Sequence, residues 1–150
     1  MKIVESWLHE WVDPGLETRD LAHQLTMLGL EVDEITVEGE GLDKVIVAEV
    51  LDVAKHPDAD RLSVCQVSTG SGEPVEIVCG APNVVAGMKS PLAVPGVTLP
   101  NGHKLKKSKI RGVTSNGMLC SAVELGLGDE SDGILELPAN APTGMALSEY

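Results

Sequence analysis

The segment HPDADRL, which begins at His56, brings an imidazole, two carboxylates and a guanidinium into one short stretch of chain. Side chains of these types could hold a metal ion, exchange protons with a substrate, or close a rigid turn. Pro57 favours extended geometry at the residue before it, and Asp58 and Asp60 can accept hydrogen bonds from nearby backbone N–H groups in an Asx-type turn. Arg61 can pair with either carboxylate. We interpret the segment as a structural corner between two strands.

The sequence contains candidate nucleophiles but not the patterns that accompany catalysis. Ser115, Ser121 and Cys120 lack a GxSxG or CxxC context. No phosphate-binding glycine loop is present, and the four histidines show no HExxH spacing. Cys65, Cys79 and Cys120 are too widely spaced for a structural zinc site or a disulfide framework. We predict no catalytic residue, metal ligand or cofactor in this chain, and three buried, reduced thiols.

Positive charge is concentrated in one segment of an acidic chain whose formal net charge is −12. Five of the nine bases that follow residue 38 fall within HKLKKSKIR, here called the basic segment. They are Lys104, Lys106, Lys107, Lys109 and Arg111. In a strand, Lys107, Lys109 and Arg111 would share one face, and Lys104 and Lys106 the other. Lysines often protect a solvated sheet edge; the alternative, which we prefer, is a stripe that binds phosphates.

Aromatic residues limit the kind of nucleic acid that such a stripe could bind. Trp7, Trp11 and Tyr150 are the only aromatics, so none lies within residues 39–149. Proteins that bind single strands stack bases on aromatic rings, each worth about 1–3 kcal/mol. A body without these rings must read the backbone and shape of a folded RNA, with an affinity that depends strongly on salt.

The start of the chain has the pattern of two helices. Trp7 and Trp11 recur at helical spacing in SWLHEWV, and we expect both rings to pack in a core. A second helix is predicted from Thr18, whose side chain can cap it, to Leu28, with Gly29 in the left-handed position that ends it.

An alternating stretch, LEVDEITV, follows these helices and predicts a strand that GEG at 39–41 breaks. We place a domain boundary there. It separates an α+β head, residues 1–38, from a main body, residues 39–150. No apolar run is long enough for a membrane helix, and the N-terminus carries acids where a signal peptide would be apolar. We therefore expect a cytoplasmic protein.

The body has the pattern of short strands joined by tight turns rich in Gly, Pro and Asn. Candidate strands are 45–53, 63–68, 75–80, 117–121 and 133–138. Their number and length suit a small barrel of the oligonucleotide-binding (OB-fold) size. The predicted fold class is mainly β: a five-stranded OB-fold barrel with added strands, preceded by the small α+β head.

Three motifs in the body occur in an order that resembles a known module. HPDADRL, VCGAPNVVAG and KLKKSKIRGVTSNGMLCSAVELGL are similar to the tRNA-binding OB-fold module, found in free-standing proteins and at the C-terminus of many methionyl-tRNA synthetases. The resemblance spans about residues 39–149. WLHEWV and LAHQLTMLGLEVDEI in the head resemble the extreme N-terminus of bacterial phenylalanyl-tRNA synthetase β subunits, which precedes the same module.

This resemblance implies a fragment without an active site. The family enzyme is an α2β2 ligase that charges tRNA with phenylalanine using ATP and Mg²⁺. Its aminoacylation site lies in the α subunit, and its editing and anticodon-binding regions lie further along β than residue 150. We expect the head to need later chain to complete its packing.

The resemblance also implies which residues face the nucleic acid. Ser115 and Met118 fall in the family's S-x-G-M signature, and Asn83 falls in the loop after the third strand. We expect all three near tRNA, alongside the cations of the basic segment. Two alternatives remain open: an autonomous, homodimeric tRNA-binding module, and a purely structural domain of the synthetase that touches no RNA.

Overall fold

The computed structural model describes residues 1–37, Gly39 and 41–150, and the chain divides into two compact units. The N-terminal unit is Met1–Val37, and the barrel unit is Glu38–Tyr150. In the described part of the chain, no helix is long and apolar enough to cross a membrane.

The N-terminal unit contains two helices, α1 (Glu5–His9) and α2 (Thr18–Met27). The prediction that the Thr18 side chain caps α2 is wrong: Thr18 is the first residue of the helix, and its hydroxyl donates a hydrogen bond of 2.9 Å to a Glu5 carboxylate oxygen. Gly29 follows α2 with φ +95°, which confirms the predicted left-handed termination.

The expectation that both tryptophans pack in a core is wrong for this chain. Trp7 is 65% exposed and Trp11 is 88% exposed, and none of residues 1–37 is buried. The helices are too short and too few to enclose large rings, because burial requires a second layer of structure against the apolar face.

The strand predicted over residues 30–37 is also not formed, so the described residues of the head, 1–37, contain helices but no strand. Alternation is a pattern for a half-buried strand, and a strand also needs a neighbour for its backbone N–H and C=O groups. Within the described ranges no strand pairs with this stretch, which forms no regular secondary structure.

The barrel unit is built on a five-stranded antiparallel sheet in the order β3-β2-β1-β4-β7. Its strands are β1 (Val45–Lys55), β2 (Ser63–Ser68), β3 (Val75–Cys79), β4 (Lys89–Ala93) and β7 (Met118–Leu119). The end strands β3 and β7 pack against each other, so the sheet curls into a nearly closed barrel. This confirms the predicted mainly β barrel.

The long strand β1 connects the two halves of the barrel. Residues 45–49 pair with β4, residues 49–55 pair with β2, and a bulge lies between Val50 and Asp52. A bulge bends a strand and increases its twist, which lets one strand serve two walls. Ala48, Val50 and other apolar residues of β1 are fully buried in the interior.

Strand β4 was not predicted because its sequence, KSPLA, contains a proline within a sheet. Pro91 lies opposite Val47, and the Val47 N–H and C=O groups bond to Met145 and Gly144 on the other side. Pro91 therefore needs no N–H toward β1, while its carbonyl accepts a hydrogen bond from Cys120 N–H at 3.0 Å.

Two short strands, β5 (Ser108–Ile110) and β6 (Val113–Ser115), form a separate two-stranded sheet. These strands and the turn between them are here called the basic hairpin. The strand predicted over 133–138 is absent. Leu137 makes only an isolated bridge to Lys89, and Leu135 N–H bonds to the Cys120 carbonyl. This stretch runs along the barrel without a continuous ladder.

Candidate nucleic-acid interface

All five cations of the basic segment are exposed, but they do not follow one strand. Only Lys109 lies within β5. Arg111 and Gly112 form the two-residue turn between β5 and β6, with φ +47° and +89°. Positive φ at both positions is typical of a type I′ turn, so the predicted shared face of Lys107, Lys109 and Arg111 is wrong for Arg111.

Arg111 adopts an unfavourable backbone conformation at the tip of the hairpin. It is the one non-glycine residue of the described chain with positive φ. The left-handed conformation costs an L-residue roughly 1–2 kcal/mol, and asparagine, aspartate or glycine would fit the turn better. Despite this cost, the turn places an exposed guanidinium at the tip of the hairpin.

The basic segment also forms one wall of a cleft of about 670 Å³ in the barrel unit. Lys104, Lys106 and Ile110 line it, whereas Lys107 and Lys109 lie outside its lining. This division matches the predicted alternation of the lysines. Glu124 and Asp132 also line the cleft, so its charge is mixed.

The charges of the basic segment are available to a ligand. No ion pair within the described residues involves its lysines or Arg111. Among those residues, the ion pair made by a lysine joins Lys55 to Asp60, at 3.1 Å. The body is otherwise acidic, with fourteen acids against nine bases in residues 39–150. Unpaired, exposed cations on an acidic body form a local site for an anion.

The corner formed by HPDADRL depends on His56 rather than on its aspartates. His56 is only 2% exposed; its Nδ1 accepts the Asp58 N–H at 3.0 Å, and its Nε2 lies 3.1 Å from the Ile110 carbonyl oxygen. The predicted Asx-type turn and Arg61 ion pair are not formed among the described residues: the Leu62 N–H, which Asp60 would need, bonds to the Ala59 carbonyl, and Asp60 pairs with Lys55 at 3.1 Å. Pro57 lies at the start of the corner, as expected.

The S-x-G-M signature is built into the barrel through its backbone. Ser115 is 2% exposed; its hydroxyl accepts the Val78 N–H at 3.0 Å and donates to the Gly117 carbonyl at 2.9 Å. Gly117 has φ +149°, and a Cβ there would lie 2.6 Å from the Ala93 oxygen. Met118 is half-buried at the start of β7, although it lines the cleft. Contact of Ser115 and Met118 with RNA stays a prediction.

Asn83 connects two loops instead of projecting a free amide. Its Nδ2 donates to the Ile134 carbonyl at 2.8 Å, and its Oδ1 accepts the Ile134 N–H at 3.0 Å. The side chain thus imitates a neighbouring strand. Gly133 lies so close that a Cβ there would meet the Asn83 amide. An RNA contact by Asn83 also stays a prediction.

Two features near the cleft were missed at the sequence level. One is the hydrogen bond from the corner to the basic hairpin, which joins residues 54 positions apart. The other is a capping box in SAVE, where Glu124 accepts bonds from the Ser121 N–H and hydroxyl at 2.7 and 3.0 Å. The S-x-x-E spacing could have indicated the second; no local pattern indicates the first.

The three cysteines lie in the barrel core and are poorly suited to reaction. Burial raises the pKa of Cys65 to about 11 and that of Cys120 to about 12, and burial also raises the pKa of Cys79. Thiolate is the reactive form, so these thiols are protected at neutral pH. All three are free, which confirms the predicted buried, reduced state. The described residues contain no cluster of three metal-ligating side chains.

Comparison with protein families identifies the barrel. Residues 45–146 match the family described as "Putative tRNA binding domain". The match includes the corner, the basic hairpin and the S-x-G-M signature.

The whole chain also matches part of longer relatives. It is 57% identical to the phenylalanine–tRNA ligase β subunit of Dechloromonas aromatica and 55% identical to that of Acinetobacter baylyi, each over 150 residues. These matches cover 100% of this chain and 19% of each relative, at its N-terminal segment. The chain therefore spans about a fifth of the length of the curated relatives it matches.

Among solved structures, the chain is similar to a MetRS related protein from Pyrococcus horikoshii. The TM-score is 0.52 with 22% sequence identity, and the match covers 76% of this chain and 99% of that chain. At this identity the likeness shows the fold, and it agrees with the barrel described above.

Proposed function

This chain belongs to the tRNA-binding domain family, and from that premise we propose that it is the N-terminal tRNA-binding part of a phenylalanine–tRNA ligase β subunit. Its role is to bind and position tRNA, with the basic segment as the contact surface. No residue of this segment carries out aminoacylation.

The observation that carries this proposal is the set of exposed, unpaired cations on an acidic unit. Phosphate contacts dominate affinity for nucleic acids, and each neutralised phosphate adds to the salt dependence. Arg111 supports the proposal further, because strained backbone is often found at functional sites. Since residues 39–149 contain no aromatic ring, recognition relies on the backbone and shape of a folded RNA.

In this proposal, the partner subunit, the amino-acid specificity and the cofactors belong to the complete enzyme. We assign the chain to an α2β2 assembly with a synthetase α subunit, which acts in the cytoplasm on tRNA-Phe and uses ATP and Mg²⁺. These assignments rest on the names of the relatives and on the family resemblance. The segment itself contributes no ligand for either cofactor.

The N-terminal unit contributes to assembly in this proposal. Trp7, Trp11, Met27, Leu28 and Ile35 are all exposed, in a unit of only 37 residues. Exposed apolar surface of this density marks an interaction site. We propose that residues 1–38 form a domain that packs against later parts of the β subunit, and that residues 39–150 form the RNA-binding domain.

Charge reversal tests the RNA-binding proposal. The variant Lys106→Glu/Lys107→Glu/Lys109→Glu should bind a tRNA-Phe transcript more weakly at low salt, and the slope of log affinity against log salt should flatten by about three. The matched control is Lys2→Glu/Arg19→Glu/Lys44→Glu, which changes the net charge equally outside the basic segment. Equal loss in both variants would mean that only the overall charge matters.

A purely structural role is the second candidate, favoured by the net charge of −5 on residues 39–150 and by the internal bonds of Asn83 and Ser115. It predicts indistinguishable tRNA signals from the wild type and both triple variants. An autonomous module would instead give strong tRNA binding together with a dimer in sedimentation.

A further inference from the structure

We propose that His56 is a positioning residue for RNA binding: it fixes the tip of the basic hairpin to the corner between β1 and β2. The inference rests on the proposed function of the hairpin. It assigns to HPDADRL a task beyond turning the chain, since the corner then sets where Lys109 and Arg111 point.

The imidazole of His56 makes two hydrogen bonds with different partners. Because Nδ1 accepts the Asp58 N–H, the proton of the neutral ring is assigned to Nε2, which then donates to the Ile110 carbonyl. One bond stays within the corner and the other leaves it. The His56 backbone N–H also bonds to the Leu62 carbonyl at 3.0 Å, which closes the corner itself.

The bond from His56 Nε2 to the Ile110 carbonyl lies close to the tip of the hairpin. Ile110 is the last residue of β5 and pairs with Val113 across the turn formed by Arg111 and Gly112. A bond to its carbonyl therefore holds the hairpin next to its tip. His56 is 2% exposed as a whole residue, so water does not compete freely for the contact.

The basic hairpin needs such a tether because it lies outside the five-stranded sheet. Its base is attached to β3 through Ser115 Oγ, which accepts the Val78 N–H, and through the Asn116 N–H, which bonds to the Glu76 carbonyl. An isolated two-stranded hairpin is marginally stable in water. Its closely spaced cations repel one another, which further favours opening of a free tip.

A fixed tip would strengthen binding by preorganisation. A mobile hairpin must be ordered when it meets RNA, and that ordering opposes association. With the tip held through Ile110, Lys109 and Arg111 face the solvent in one arrangement before RNA arrives. His56 itself, being buried, takes no part in the contact.

Two substitutions separate the bonds of the ring. In His56→Asn, the amide oxygen lies near the place of Nδ1 and keeps the Asp58 N–H, but the side chain is too short to reach Ile110. In His56→Gln, the longer amide can donate to the Ile110 carbonyl from near the place of Nε2. Both variants retain the charge of the wild type with a neutral ring.

We expect His56→Asn to lower the affinity for a tRNA-Phe transcript about two- to tenfold, the range for ordering a small number of side chains. Amide hydrogen exchange should accelerate at residues 110–113 without a matching change in β1 or β2. His56→Gln should restore both readings to within about twofold of the wild type, a rescue that a purely steric role would not give.

Several outcomes would overturn the inference. One is wild-type affinity and exchange in His56→Asn; another is an equal loss in both variants while both stay folded. Failure of both variants to fold would assign His56 to stability alone. If the wild type does not bind tRNA, both the proposed function and this inference are wrong. If the wild type and His56→Asn bind tRNA equally well, only the inference about His56 is wrong.

Discussion

The N-terminal unit and the barrel unit contain apolar residues in comparable proportion but place them differently. None of residues 1–37 is buried, whereas the barrel encloses two apolar clusters, and Val94 packs against both. The strands of the barrel bury one another, while the apolar side chains of the two short helices are not buried. The comparison shows that local helical pattern and burial are separate properties.

The two units also carry different natural reporters. Both tryptophans lie in the N-terminal unit, and all three cysteines lie in the barrel. Tryptophan fluorescence therefore follows one unit and thiol labelling follows the other. This separation allows each unit to be tested in the same sample.

The largest expected difference comes from truncating one apolar side chain in each unit. Leu92 is fully buried in β4, so Leu92→Ala should lower the free energy of unfolding of the barrel by about 2–5 kcal/mol. Trp7→Ala removes a ring that is 65% exposed and should change it by less than about 0.5 kcal/mol. Urea unfolding followed by thiol labelling measures the stability of the barrel in both variants; a similar cost for Trp7→Ala would contradict the exposure of this ring.

A smaller difference is expected from glycines with positive φ. Gly117→Ala combines φ +149° with a Cβ that would lie 2.6 Å from the Ala93 oxygen, and should destabilise the barrel by about 1–3 kcal/mol. Gly15→Ala has φ +62° but open space around it, so barrel stability should be unchanged. The same urea titration applies, and a tolerated Gly117→Ala would contradict the close approach of β7 to β4.

Sequence patterns predicted the parts of the barrel that depend on alternation. Strands β1, β2 and β3 have regular apolar positions, and their bounds agree closely with the structure. Strand β4 was missed because Pro91 argues against a strand, and only the pairing around Val47 makes it acceptable. The stretch LEVDEITV shows the reverse case: a strand pattern without a partner.

The candidate site was harder to predict than the fold. Charge alone identified the basic segment, but not the turn at Arg111 that divides it. The roles of His56 and Asn83 depend on hydrogen bonds to residues more than fifty positions away, which no local pattern shows. Ser115 of the S-x-G-M signature is buried and bonded to the backbone, so the signature marks a feature of the architecture here.

The remaining prediction concerns alkaline pH, whose effect should be confined to the barrel. The buried thiols keep their protons when folded, because the pKa of Cys65 is about 11 and that of Cys120 about 12, against 9.0 for a free thiol. Above pH 9 the unfolded chain loses these protons first, so the free energy of unfolding should fall as the pH rises from 9 toward 11.

Unfolding at pH 8, 9.5 and 10.5 tests this dependence, with circular dichroism reporting the barrel. The control is Cys65→Ala/Cys120→Ser, in which the fall should be smaller because two of the ionisable groups are gone. Tryptophan emission should report an exposed environment throughout. A stability that is flat up to pH 10.5 would mean that the thiols are not sheltered.

Hydrogen exchange with and without a tRNA-Phe transcript tests most directly the claim that the barrel unit, through its basic hairpin, is the surface that meets RNA. The account predicts that tRNA slows exchange at residues 104–115 at low salt, while residues 1–37 exchange at unchanged rates. Protection confined to residues 1–37, or none anywhere under conditions in which tRNA is bound, would contradict it.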